Sequence, residues 1–196
     1  LVVLWGSGNG TAARSQLERL GIKVYVSEPR ELEDIADSIR DFGVLAGTEA
    51  EAELNATAFE NTIEELSVLH QNQLPLTVFY QIWNKPLQTI NGQHMISHVI
   101  DLCGGSNVFA AETQLAPRIS LESVLDINPD AIVASGMGVA RPEWLDDWKR
   151  YDSLHAVKRD ALLHIHPDII QRPTARIALG AADLCAQLAE VRSQLP

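Results

Sequence analysis

The sequence predicts an α/β fold organised as two lobes joined by one long helix. Three observations predict it. Residues 1–28 read as strand, Gly-rich turn, helix and strand; residues 48–73 carry the longest helical pattern of the chain; and beyond residue 75 strand and helix patterns alternate to the end. Alternation of this kind predicts a mostly parallel sheet covered by helices on both faces. The boundaries that follow are 1–47 for the remainder of an N-terminal α/β lobe, 48–74 for the connecting helix and 75–196 for a C-terminal α/β lobe.

In chain order, residues 2–5 form an apolar strand, Gly6-Ser7-Gly8-Asn9-Gly10 a turn, residues 11–20 a helix ended by Gly21, and residues 22–26 a second strand. The opening strand reads as buried, and it has neither a start methionine nor a basic leader, so an upstream segment is expected to precede it. Leu32, Ile35, Ala36, Ile39 and Phe42 recur at helical spacing over residues 31–42. The Ala- and Glu-rich stretch 48–73 presents Leu54, Ala58, Ile63, Leu66 and Leu69 as a stripe. At 1.5 Å per residue it spans roughly 35 to 40 Å, more than one small lobe needs. Pro75 stops it, and residues 76–83 read as a strand. There follow a helix at 95–103, a turn at Gly104-Gly105, a helix at 121–125, a strand at 131–134, a helix at 143–151, a strand at 161–165 and a closing helix at 177–195.

Composition removes whole classes of function. The formal net charge is -11, and the 15 Lys and Arg are scattered among 26 Asp and Glu, which argues against nucleic acid as a partner. No apolar run approaches the roughly 20 residues of a membrane span. Any membrane role passes through a partner. No Gly-x-Ser-x-Gly elbow, HExxH or comparable signature is present, which argues against an enzyme. Ser120 and Ser135 lack the neighbours of a nucleophile, and Cys103 lacks those of a reactive thiolate.

Several motifs allow a chemical and a plain reading. The glycines at 6, 8 and 10, with Glu28 ending the second strand, approach a dinucleotide-binding fingerprint, but Thr11 stands at the third glycine position of that fingerprint. His94 and His98 stand one helical turn apart, and His164 and His166 share a strand face; without a third ligand at a recognisable spacing, surface histidines explain both pairs better than metal binding. Trp5 and Trp83 each end a predicted strand, where open α/β sheets receive ligands, and both could equally be core residues. Asp168 could hold Arg172 so that its guanidinium meets a polar ligand group, or the two could form a plain surface pair. Cys103 and Cys185 read as two buried thiols or, in an exported protein, as a bridge.

Cys103-Gly104-Gly105-Ser106-Asn107-Val108-Phe109, the preceding Pro86-Leu87 and Thr89, Ser120 with Glu122, Asn128-Pro129-Asp130, and Pro167-Asp168 through Arg172 to Arg176 occur together and in order. In this the chain resembles the cobalamin-binding members of the helical-backbone class of periplasmic binding proteins, over nearly its whole length. The resemblance implies two Rossmann-like lobes bridged by a single long helix, with the N-terminal lobe incomplete. It implies a periplasmic protein without chemistry or resident cofactor, which captures cobalamin or a related corrinoid and delivers it to the permease subunits of an ABC importer. Trp5 and its neighbour Gly6, Trp83, Asp168 and Arg172 match ligand contacts, and Glu122 a transporter-docking carboxylate. Cys103 and Cys185 fall where such proteins carry a disulfide.

Two positions depart from that pattern. Ala116 stands where relatives stack a Trp on the ligand, and Thr11 where they carry the second docking carboxylate, so that a neighbour such as Glu18 serves there or that contact is absent. The same fold also carries haem, for which Tyr80 or His166 would be axial candidates, and ferric siderophores, for which Arg172 and Arg176 would form an anion clamp. An NAD-dependent oxidoreductase built on Gly6, Gly8 and Glu28 is the alternative from another class.

Overall fold

The structure, a computed structural model, describes residues 1–138 and 140–195. Strand β1 (Val2–Trp5) pairs in parallel with β2 (Val24–Ser27), with Trp5 opposite Ser27. Helix α1 (Gly6–Arg19) connects them and begins immediately after Trp5, earlier than its sequence pattern suggests. Gly10 divides it: φ 72° and ψ 160° are open to glycine and strained for other residues. The Trp5 N–H donates to Asn9 Oδ1 at 2.6 Å and closes the first turn. Contrary to expectation the opening strand is not buried. A two-stranded sheet has too little partner surface, and Val3 remains 48% exposed while Leu4 alone of the strand lies in the core.

Helix α2 (Glu33–Ala46) ends at the left-handed Gly47, and α3 (Glu49–His70) follows at once. The 22 residues of α3 span about 33 Å. The two helices lie close because Gly43 leaves no room for a Cβ against Ala52. Arg40 of α2 straps them together by donating to Glu53 at 2.9 Å and Glu60 at 2.6 Å.

The C-terminal lobe is built on a four-stranded parallel sheet in the order β4-β3-β5-β6, with β3 (Leu76–Gln81), β4 (Gly105–Asn107), β5 (Ala131–Ala134) and β6 (Leu162–His164). Val78 of β3 faces Asn107 on one side and Ala131 on the other. All of β5 and all of β3 except Thr77 are buried, the mark of a sheet covered on both faces. The expected Gly104-Gly105 turn is half right. Gly104 turns with φ 68°, but Gly105 opens β4, because a Cβ there would crowd Val78 and Ile100 as the strand joins the sheet.

Helix α4 (Met95–Leu102) follows β3, and α5 (Leu121–Ile127) is capped by Ser120, whose hydroxyl accepts from the Ser123 N–H at 3.0 Å. The helix expected over residues 143–151 is a 3₁₀ helix, Glu143–Arg150, in which buried Leu145 and Trp148 recur at the three-residue period of that geometry. Two further helical turns are α6 (His155–Lys158) and α7 (Pro167–Ile170). Helix α8 (Ile177–Ser193) closes the lobe against α3, α4 and α7.

Cys103 and Cys185 form a disulfide with a Cα–Cα distance of 4.7 Å, which removes the free-thiol reading. It joins the end of α4 to α8. Arg192 of α8 donates from Nε to the Leu74 carbonyl at 2.7 Å and from Nη2 to the Cys103 carbonyl at 2.5 Å, fixing the chain that leaves α3. Asp130, just before β5, accepts from the Thr77 N–H at 2.9 Å, from the Thr77 hydroxyl at 2.7 Å and from Arg159.

Candidate functional site

In parallel sheets the chain leaves each strand at the same end, and ligands collect in the crevice outside the carboxyl ends. Here both sheets direct those ends into one cavity of about 630 Å³ between the lobes. Trp5 ends β1, and Glu28, Pro29, Arg30 and Glu31 follow β2. From the other lobe come Gly92 to Met95 and His98 after β3, Leu115 after β4, and Ile170, Gln171 and Pro173 after β6.

Trp5 is 59% exposed, so its indole is available rather than committed to the core. It lies over Gly8, where a Cβ would overlap the ring, and Glu28 lies against Gly6 in the same way. The glycines are therefore explained by the close approach of Trp5 and Glu28. The indole occupies the space that a pyrophosphate would need at Gly8, which disfavours the dinucleotide reading.

His94 and His98 are not surface histidines: both line the cavity. His94 caps α4, its Nδ1 accepting from the Ile96 N–H at 3.1 Å. The neutral ring therefore carries its proton on Nε2. Burial first, and the neighbouring His98 second, push its pKa down to about 4, so His94 is an uncharged donor at neutral pH. Gln171 donates from Nε2 to Ser135 Oγ and to the Gly136 carbonyl, both at 2.7 Å, while Tyr80 donates its hydroxyl proton to the same Ser135 oxygen at 2.7 Å. This leaves Oε1 as the remaining hydrogen-bonding group of Gln171. Glu28 and Glu31 outnumber Arg30 among the lining charges.

The other residues singled out in the sequence are placed as follows. Asp168 and Arg172 are ion-paired at 3.2 Å at the end of α7; Arg172 is exposed and Asp168 half-buried, beside the cavity-lining Ile170, Gln171 and Pro173 but not among the lining residues. Trp83 is 38% exposed, and its indole N–H donates to the Lys85 carbonyl at 3.0 Å, away from the cavity. Tyr80 is fully buried, and its hydroxyl is pushed above its ordinary range by burial. His166 caps α7 through Nδ1, and His164 reaches the Ser135 carbonyl at 3.3 Å. Neither histidine, nor Tyr80, lines the cleft. Ala116 is exposed, and its neighbour Leu115 supplies the apolar lining instead. Glu122 is exposed in the first turn of α5; Glu18 is held by Arg14 at 2.8 Å.

Comparison with known proteins gives this cleft its family. The family described as periplasmic binding protein matches residues 2–169. The chain belongs to the periplasmic binding protein family. As a member it belongs with binding proteins and not with enzymes. It is 29% identical over 194 residues to the vitamin B12-binding protein of Vibrio cholerae serotype O1, an alignment covering 99% of this chain and 70% of that protein. The crystal structure of the periplasmic vitamin B12 binding protein BtuF of Vibrio cholerae superposes with a TM-score of 0.84 at 29% identity, over 98% of this chain and 74% of that one. The periplasmic heme-binding protein RhuT from Roseiflexus sp. RS-1 superposes equally well, TM-score 0.84 over 97% of this chain and 76% of that one, but at 16% identity it shares the fold alone. No helix of the described residues is long and apolar enough to cross a membrane.

Proposed function

We propose that this periplasmic binding protein captures cobalamin or a related corrinoid in the cleft between its lobes and hands it to the permease of an ABC importer in the periplasm. The observation that carries the reading is the chemistry of the cleft: an exposed indole, Trp5, above a cavity whose polar groups are largely matched to amides. A corrinoid is a broad macrocycle fringed with primary amides. Its flat face suits Trp5, and its amides suit the neutral His94 donor and the Gln171 Oε1 acceptor. The relatives named for vitamin B12 support the same ligand.

Charge argues against the other ligands of this fold. Haem brings carboxylates, and a ferric siderophore is commonly anionic; Glu28 and Glu31 oppose both. Arg172, the candidate anion clamp, is already paired with Asp168. Of the remaining candidate contacts, Gly6, Asp168 and Arg172 would act at the rim, and Trp83 stands outside the cleft. Glu122, exposed on the C-terminal lobe, would meet a cationic permease surface, a contact that contributes registration and on-rate more than affinity.

Titration of the protein with cyanocobalamin, followed by tryptophan fluorescence and by heat, tests the reading. Saturable quenching is expected, with hemin giving no Soret shift. Absence of both heat and quenching at tens of micromolar would sink it.

A further inference from the structure

The two imidazoles of the cleft are not equivalent. His94 has spent its Nδ1 lone pair on the Ile96 N–H, so Nε2 keeps the proton and cannot donate electrons to a metal without breaking the cap of α4. His98, one turn along the same helix, lines the same cavity, and its ring makes no hydrogen bond among the described residues. It is half-buried, so its direction is limited by packing. The carboxylates of Asp34 on α2 and Asp101 on α4 interact electrostatically with it, and His94 is the other titratable neighbour. Trp5 reaches the same cavity from the other lobe. A planar ligand lying against the indole would therefore offer its second face to the lobe that carries His98.

Resting on the corrinoid reading, we propose that His98 coordinates the cobalt of the bound corrinoid through Nε2. The residue thereby selects corrinoids whose lower axial position is open or loosely held. The step is a ligand exchange on Co(III): the Nε2 lone pair forms a Co–N bond, the Co–O bond to an axial water breaks, the water leaves, and the oxidation state is unchanged. A corrinoid lacking the nucleotide base gains most, because no intramolecular base competes for that face.

Aquacyanocobinamide, which lacks the base and holds one exchangeable water, is the probe. Added to the protein at slightly alkaline pH, it should quench tryptophan fluorescence and shift its visible corrin bands to longer wavelength. His98→Ala should bind with weaker affinity and leave the bands unmoved, and free imidazole should then restore the shift. His94→Asn, which keeps a capping side chain but removes a lining donor, should weaken binding and yet give the full band shift at saturation. In the Co(II) form, one coordinated nitrogen should split each cobalt resonance in the paramagnetic spectrum into three, and His98→Ala should remove the splitting. Quenching without a band shift in the wild type, or an undiminished shift in His98→Ala, overturns the coordination while leaving the corrinoid reading intact. No quenching by either cobinamide or cyanocobalamin overturns both.

Discussion

The two lobes hold the same cleft with different means. The C-terminal lobe has four strands, of which β3 and β5 are almost wholly buried, a disulfide, and buried polar groups tied by hydrogen bonds, such as Asn107 Nδ2 to the Ile90 carbonyl at 3.0 Å and to Ser97 Oγ at 2.9 Å. The N-terminal lobe has two strands, and Val3, Phe42 and Val44 stand exposed about them. The difference teaches that the two walls of the cleft carry unlike burdens. His94, His98 and Gln171 sit on a framework that can orient them sharply, whereas Trp5 contributes broad contact that tolerates small displacement.

The sharpest way to break this contrast is to damage the C-terminal core. Phe79 is fully buried and packs edge to face on Phe109 and Trp148, with ring centroids 5.7 Å apart in each pair. Phe79→Ala should cost about 3–5 kcal/mol, read from the midpoint of urea unfolding. Replacing both Cys103 and Cys185 by Ala releases a loop with a sequence separation of 82 and should cost about 2–5 kcal/mol by the same measurement. If either loss were negligible, the C-terminal lobe would not be the stable partner.

Trp5→Ala probes the other side. Because the indole is mostly exposed, stability should change by less than about 0.5 kcal/mol. Cyanocobalamin affinity should fall by about 2 kcal/mol, near thirtyfold, as expected of an aromatic anchor. Calorimetric titration beside thermal unfolding separates the two effects.

The last effect concerns pH. His94 has its folded pKa near 4 against 6.5 for the free side chain. Between those values the unfolded chain binds the proton and the folded chain does not, so stability is fully present above about pH 6.5 and falls as pH drops toward 4. The slope from this one group is at most about 1.4 kcal/mol per pH unit. The gap between wild type and His94→Asn should therefore shift in that window, measured as unfolding midpoints at successive pH values. A constant gap would mean that the ring is hydrated and not enclosed by the C-terminal wall.

Much of the fold was legible because periodicity reports burial. The residues of β5 matched the expected strand, and the helical pattern beyond Thr48 found α3 to within three residues of its C-terminus. Strand β4 was not, since Gly105, Ser106 and Asn107 have no strand propensity and pair only because β3 and α4 bring them to the sheet. The four-residue helices α6 and α7 are too short to show a period.

The cleft was legible in part. Trp5 was visible from its place at a strand end. His94 and His98 looked like a solvated helix face, because spacing alone cannot distinguish a face turned to water from one turned to a crevice. The missed signal was position: a His capping the first helix after a central strand stands at the ligand end of an α/β sheet. Gln171 and Leu115 carry no reactive group, and only the folded geometry reveals them.

The helix α3 is fastened along its length, through Arg40 to Glu53 near its start and to Glu60 at its middle and, just past its end, through Arg192 to the Leu74 carbonyl. A strut held in this way acts as a ruler. Any surface that engages both lobes at once meets them at nearly one spacing, loaded or empty. Cargo must then announce itself by filling the mouth of the cleft and stilling the side chains around it, rather than by a large change of shape.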